Sequence, residues 1–168
     1  MIKMYDLAGA DKNRRFSPYC WRIRMALAHK RLNVECMPWH FTEKDKIKFS
    51  GHERVPVLID GNNTVADSWE IAKYLENAYP DSPSLKLEYG EVLFIKFWAE
   101  TVLHPEMLQI LVLDIHDNLR PEDQSYFRES REKLLGRPLE EVVANRQDRL
   151  PRLQKMLTPL RSTLSKNE

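Results

Sequence analysis

The chain has 168 residues, 42% of them hydrophobic and 30% charged, with 26 Lys plus Arg against 25 Asp plus Glu for a formal charge of +1. That length suits one domain or two small ones, and the apolar share supports a buried core, which excludes wholesale disorder. Near-neutral charge argues against nucleic acid or an anionic membrane surface as the main partner, and two cysteines, Cys20 and Cys36, are too few for a disulfide scaffold.

Residues 1–15 carry neither an apolar core nor a small-residue cleavage site, so no secretory signal is expected. A short strand is read over residues 2–8, followed by a polar loop to Arg15. Ser17-Pro18 then opens a helix that continues to about residue 31, with Ile23, Ala26 and Leu27 as its apolar positions. A second strand covers 33–41, with Val34, Cys36 and Pro38 on one face, and 44–51 is a short polar helix or loop. Val55-Pro56-Val57-Leu58-Ile59 is an apolar run, and Asp60-Gly61-Asn62-Asn63 supplies turn residues for a hairpin returning through Thr64-Val65-Ala66. Asp67 with Glu70 has the form of a capping box and opens a helix that reaches Ala78, before Pro80. Residues 1–80 thus read as β-α-β-(α)-β-β-α, a mixed α/β domain.

A linker follows over 81–86, headed by Asp81-Ser82-Pro83-Ser84, and residues 87–168 read as all-helical. Helices are expected over 87–103, 107–118, 121–135, 139–145 and 150–164, with Pro105 kinking or dividing the first two. The window 92–113 is the most apolar of the chain. Lys96, Glu100, His104, Pro105 and Glu106 interrupt it, which makes it a buried helix rather than a membrane span. The last helix carries Leu150, Leu153, Leu157, Leu160 and Leu164 at spacings of an amphipathic stripe. A cytoplasmic protein is the expectation.

No GxGxxG, GxxxxGK[ST], HExxH or paired CxxC is present, and the five histidines are scattered, so no metal site is expected. Three segments remain informative. Ser17 before Pro18 is an ordinary helix start, yet such a terminus also favours an anion beside the cap and can stabilise a thiolate. Pro56 within a strand run marks an edge or turn, which leaves the backbone of Val55 open to another peptide. Asp67 is explained by capping alone, but with Ser68 it also offers an acceptor for an amine and a hydroxyl for a carboxylate. The basic run Lys12, Arg14, Arg15, Arg22 and Arg24 is a solvated face or a source of positive potential near the first helix.

Glutathione carries a thiol, a peptide backbone and an α-amine with an α-carboxylate, which are the groups these three segments would hold. The order S-P-Y-C, then V-P, then D-S at a helix head resembles the thioredoxin-like domain of glutathione transferases, and the all-helical second half fits the same family. Tyr126-Phe127-Arg128-Glu129-Ser130-Arg131-Glu132, Gly136 and Leu139-Glu140-Glu141 are similar to the serine-type fungal and bacterial β-etherase-like branch. The resemblance implies that Ser17 is the catalytic serine and that the backbone of Val55 pairs with the cysteinyl unit beside a cis-Pro56. It further implies that Asp67 and Ser68 hold the γ-glutamyl end, with Arg54 as a polar contact. Glutathione is the implied co-substrate, a small apolar or aromatic electrophile the second substrate, aryl ethers among the candidates, and a detoxifying homodimer the expected form.

In cysteine-type relatives the nucleophile stands at the Ser17 position. Cys20 is therefore read as a packed helix residue rather than half of a redox pair. Relatives run longer than this chain, which implies an incomplete helical domain, an opened second-substrate pocket, and apolar faces over 92–113 and 150–164 without a partner. The alternative is a non-catalytic module that binds glutathione or hydrophobic ligands without turnover.

Overall fold

In the computed structural model, which describes residues 1–166, the alternation expected near the N-terminus appears as strand β1 (Ile2–Leu7). Its even positions Ile2, Met4 and Asp6 are buried, while Lys3 is exposed. Strand β2 (Val34–Trp39) runs parallel to β1, whereas β3 (Val57–Asp60) runs antiparallel to it and pairs in turn with antiparallel β4 (Asn63–Ala66). The sheet order is β2-β1-β3-β4. Asp60 pairs with Asn63, so the hairpin loop is Gly61-Asn62, and the positive φ of 57° at Gly61 suits glycine at its first position.

Helices α1 (Pro18–His29) and α2 (Ser68–Ala78) bury Ile23, Ala26 and Leu27, and Ile71, Ala72 and Leu75, in one cluster with Ile2, Met4 and Leu58. A second cluster gathers Leu7, Cys20, Trp39, Ile47 and Val57. Ile47 comes from a 3-10 turn, Lys44–Ser50, in the segment read as a polar helix or loop. Beyond α2, buried Lys30 donates to Glu76 at 3.0 Å and to the Pro83 carbonyl at 3.2 Å, while Glu76 accepts from the Leu85 N–H at 3.0 Å. These bonds fasten residues 83–85 to the first two helices.

The chain divides into two compact units, the first being Met1–Tyr89 with Asn118–Tyr126. The late segment is held by its own polar contacts. The Asn118 carbonyl accepts from the Ala10 N–H at 2.9 Å, and a Cβ on Gly9 would meet that same carbonyl oxygen at 2.8 Å, so this approach requires glycine. Asp123 accepts from the N–H and hydroxyl of Thr42 at 2.8 and 2.9 Å and from Arg120 at 2.8 Å. Glu43 completes the group, receiving Lys46 at 2.9 Å, the ring Nδ1 of His40 at 3.1 Å and Arg120 at 3.3 Å.

The second unit comprises Gly90–Asp117 and the chain from Phe127 onward. Here the structure corrects three expectations. The helix read from 87 begins at Gly90 as α3 (Gly90–Trp98) and buries none of its residues; Phe94, Ile95 and Phe97 are largely exposed. The window 92–113 is therefore not a uniformly buried helix. The interruption near Pro105 is a π-helical turn, Ala99–Leu103, ahead of α4 (His104–Asp117), which contains the proline. A proline ring clashes with the carbonyl four residues back, and a widened turn just before it relieves that clash. Helix α5 (Pro121–Leu135) begins in the first unit, and α6 (Leu139–Val143) follows it. The single helix read over 150–164 is two, α7 (Arg146–Met156) and α8 (Thr158–Leu164). They part at Leu157, because Pro159 cannot donate within a continuing helix but fits a first turn. Among the described residues, Ile110, Val112, Phe127, Leu139, Val142 and Val143 form the buried apolar positions of this unit, and buried Glu106 is clasped by Arg149 at 3.2 and 3.3 Å.

Partial burial raises the Glu43 pKa, but bonds from Lys46 and His40 outweigh it and bring the carboxyl from 4.5 down to about 2. A depressed folded-state pKa contributes stability that is present above the unfolded value and lost as pH falls through the folded one. Glu43→Gln is expected to lower unfolding free energy at neutral pH by ~2 kcal/mol and to remove part of the acid limb between 4.5 and about 2. Urea titrations of both proteins across that range would measure it.

Candidate functional site

Ser17 is the N-cap of α1, with φ −71° and ψ 119° placing its side chain over the first turn. Its Oγ accepts from the Cys20 N–H at 3.3 Å, and the residue is 6% exposed. An accepting hydroxyl keeps its hydrogen, so Ser17 remains able to donate. Pro18 occupies the first helical position, where a missing N–H costs nothing.

Cys20 lies three residues on and is fully buried. Burial pushes its thiol up to about 12; the hydrogen bond from Ser17 and the Leu7 backbone pull it down, and the Asp6 charge pushes it up again. Burial also raises the half-buried Cys36. Neither cysteine is a thiolate at neutral pH, and both are free. Cys20 is thus a packing residue, as its place in the second apolar cluster shows.

Val55 is half-buried and stands outside the strands, joined to buried Pro56 by a cis peptide bond. Among the described residues its backbone N–H and C=O make no protein hydrogen bond. Asp67 adopts a positive φ of 71° and caps α2, with Oδ1 accepting from the N–H groups of Trp69 at 2.7 Å and Glu70 at 3.2 Å. The second oxygen, Oδ2, has no partner among the described residues and belongs to an exposed side chain. Glu70 pairs with Lys73 at 2.6 Å instead of reaching back, so the capping box expected from sequence is a one-sided cap. Ser68 is 3% exposed, and its Oγ accepts from Arg22 Nη1 at 3.0 Å.

The residues that flank these segments share one set of core neighbours. Phe16, Val55 and Ala66 all pack against the cluster of Leu7, Cys20, Trp39, Ile47 and Val57. Phe16 precedes Ser17 and Ala66 precedes Asp67 in the chain. Arg54 is exposed, and no described contact draws it in.

Sequence reasoning passed over Asp6. It is fully buried, with Oδ2 3.1 Å from Arg24 and 3.6 Å from Arg15, while Oδ1 has no hydrogen-bond partner. Its alternation with Ile2 and Met4 was the available signal. Two members of the basic run, Arg15 and Arg24, therefore answer a buried carboxylate instead of forming a purely solvated face. Among the described residues no cluster of His, Cys, Asp and Glu suits a metal ion, and no helix is long and apolar enough to cross a membrane.

The family description "Glutathione S-transferase, N-terminal domain" matches residues 13–83, and "Glutathione S-transferase, C-terminal domain" matches 91–168. Among solved structures, glutathione transferase GSTFuA3 from Phanerochaete chrysosporium is 31% identical with a TM-score of 0.81, over 99% of this chain and 73% of that one. A glutathione S-transferase of Ceriporiopsis subvermispora, solved in complex with glutathione, is 26% identical with a TM-score of 0.79, over 95% of this chain and 73% of that one. Glutathione S-transferase Z2 of Arabidopsis thaliana is 34% identical over 113 residues, 62% of this chain and 50% of that protein. The chain spans half or less of the length of such curated relatives. The first unit is accordingly a thioredoxin-like α/β domain with a four-stranded sheet, the helical remainder is of the transferase type, and the chain belongs to the glutathione S-transferase family.

Proposed function

We propose that the chain binds glutathione along the rim formed by Ser17, Val55 and Asp67-Ser68 and acts as a serine-type glutathione transferase. The observation that carries this reading is the gathering of those three segments around one apolar cluster, with the Val55 backbone groups open. The Ser17 hydroxyl donates to the glutathione sulfur and stabilises its thiolate, the proton leaving to solvent. The backbone of Val55, set by cis-Pro56, pairs with the cysteinyl unit. Asp67 Oδ2 receives the α-amine and Ser68 donates to the α-carboxylate, with Arg54 as an outer polar contact. The thiolate then attacks an electrophilic carbon of a small apolar or aromatic substrate, forming a C–S bond as the leaving group departs. Glutathione supplies the nucleophile, and the protein supplies orientation and thiolate stabilisation.

The stretch 126–141 supports a β-etherase-like subtype, in which an aryl ether is cleaved and a phenolate leaves. Glutathione in the related fungal complex supports the co-substrate. The exposed apolar residues Phe94, Ile95 and Phe97 of α3 support a homodimer, and two free cysteines suit the reducing cytoplasm. A second reading is a module that binds glutathione through the same contacts without turnover. Calorimetry with glutathione beside a conjugation assay separates the two, since binding without conjugation supports the second.

Ser17→Ala is expected to raise the pKa of bound glutathione by about 1–2 units and to shift the pH–rate profile up accordingly, because a hydrogen bond to a charged partner is lost. Ser17→Thr keeps both cap and hydroxyl and should retain the wild-type profile; an unshifted Ser17→Ala profile removes the serine from the mechanism. Asp67→Asn preserves the cap acceptor, so its melting temperature should change little. Its affinity for glutathione should nevertheless fall ~10-fold with the loss of the charge facing the amine.

A further inference from the structure

We infer that Arg22 is a positioning residue for the amino-acid end of glutathione, holding the Ser68 hydroxyl as an acceptor so that its hydrogen is free to donate to the substrate carboxylate. The inference rests on the reading of Asp67 and Ser68 as the γ-glutamyl contacts. Arg22 lies on α1, and its Nη1 reaches across 46 positions of sequence to Ser68 Oγ at 3.0 Å. Ser68 is nearly buried, so the partners its hydroxyl can take are few.

The chemistry of the pair is one-directional. A guanidinium offers donors and no acceptor, whereas a hydroxyl offers two lone pairs and a single hydrogen. Once a lone pair is given to Arg22, the hydrogen of Ser68 has no role toward the arginine and is left for an anion. The neighbouring charge strengthens that donation, and α2, at 11 residues, presents its positive end at the same place. The Tyr19 ring, 5.5 Å from the guanidinium carbon, restrains the arginine on its own helix. Because Ser17 heads α1 and Arg22 sits just over one turn further on, a single helix sets both the sulfur contact and the carboxylate contact. The spacing between the two ends of the ligand is thereby held by helix geometry rather than by a loop.

The test is calorimetry on the full chain with S-hexylglutathione and with S-hexylcysteinylglycine, which lacks only the γ-glutamyl group. Arg22→Met is expected to weaken S-hexylglutathione ~10-fold while leaving S-hexylcysteinylglycine within about twofold. Ser68→Ala should produce a similar selective loss and add nothing in the Arg22→Met background, and Arg22→Lys should restore part of the affinity. Equal loss of both ligands with a lowered melting temperature, additive effects of the two substitutions, or unchanged S-hexylglutathione affinity in Arg22→Met would overturn the assignment. If Arg22→Met does not fold, Arg22→Lys against the two ligands decides in the same way: a selective loss supports the role and an equal one refutes it. Wild-type protein that binds neither ligand would overturn the functional reading itself, an outcome distinct from wild-type binding with an indifferent Arg22.

Discussion

Everything that places the polar groups of the first unit depends on the apolar cluster of Leu7, Cys20, Trp39, Ile47 and Val57. Those five residues come from β1, α1, β2, the 3-10 turn and β3, so burying them together fixes five elements at once. Core packing tolerates little displacement. The short polar stretches that border the cluster at Phe16, Val55 and Ala66 are therefore positioned by apolar neighbours as well as by their own caps and hydrogen bonds.

Cys20 shows how such a cluster decides chemistry. A cysteine one turn into a helix, near its positive N-terminus, would ordinarily be a candidate for a lowered pKa. Here desolvation is the larger effect, and the thiol rises to about 12. Ser17, three positions earlier, has a neutral hydroxyl that caps the helix. Two buried residues three positions apart thus differ in task, one packing the core and the other capping a helix.

Charge is handled by close pairing within each unit. Asp6 is wholly buried against Arg15 and Arg24, Lys30 against Glu76, and Glu106 in the second unit against Arg149. Leaving one partner of such a pair alone in the interior is far more costly than the pair itself, so these contacts specify which surfaces meet even where their net contribution is small. The group of His40, Glu43, Lys46, Arg120, Thr42 and Asp123 does the same for the segment 118–126.

The local order of elements in residues 1–80 could be read from the amino-acid sequence, because period-two alternation, Ser17-Pro18, the Gly61 turn and the Asp67 cap are all written within a few residues of where they act. The candidate site segments were legible for the same reason, each being a local signal at the end of an element. What required the tertiary structure lay in pairings across long separations: Arg22 with Ser68, Asp6 with Arg24, and Thr42 with Asp123. The helical half was read less well. Its boundaries turn on prolines, and Pro105 is absorbed by a π turn while Pro159 starts a new helix, outcomes that depend on how each helix can bend. Likewise the hydropathy of Phe94, Ile95 and Phe97 marks an apolar face, but only packing decides whether such a face is covered, and here α3 leaves it exposed. Backbone geometry and capping act over a single turn and can be read along the chain; burial and charge pairing act between residues that meet only once the chain has folded.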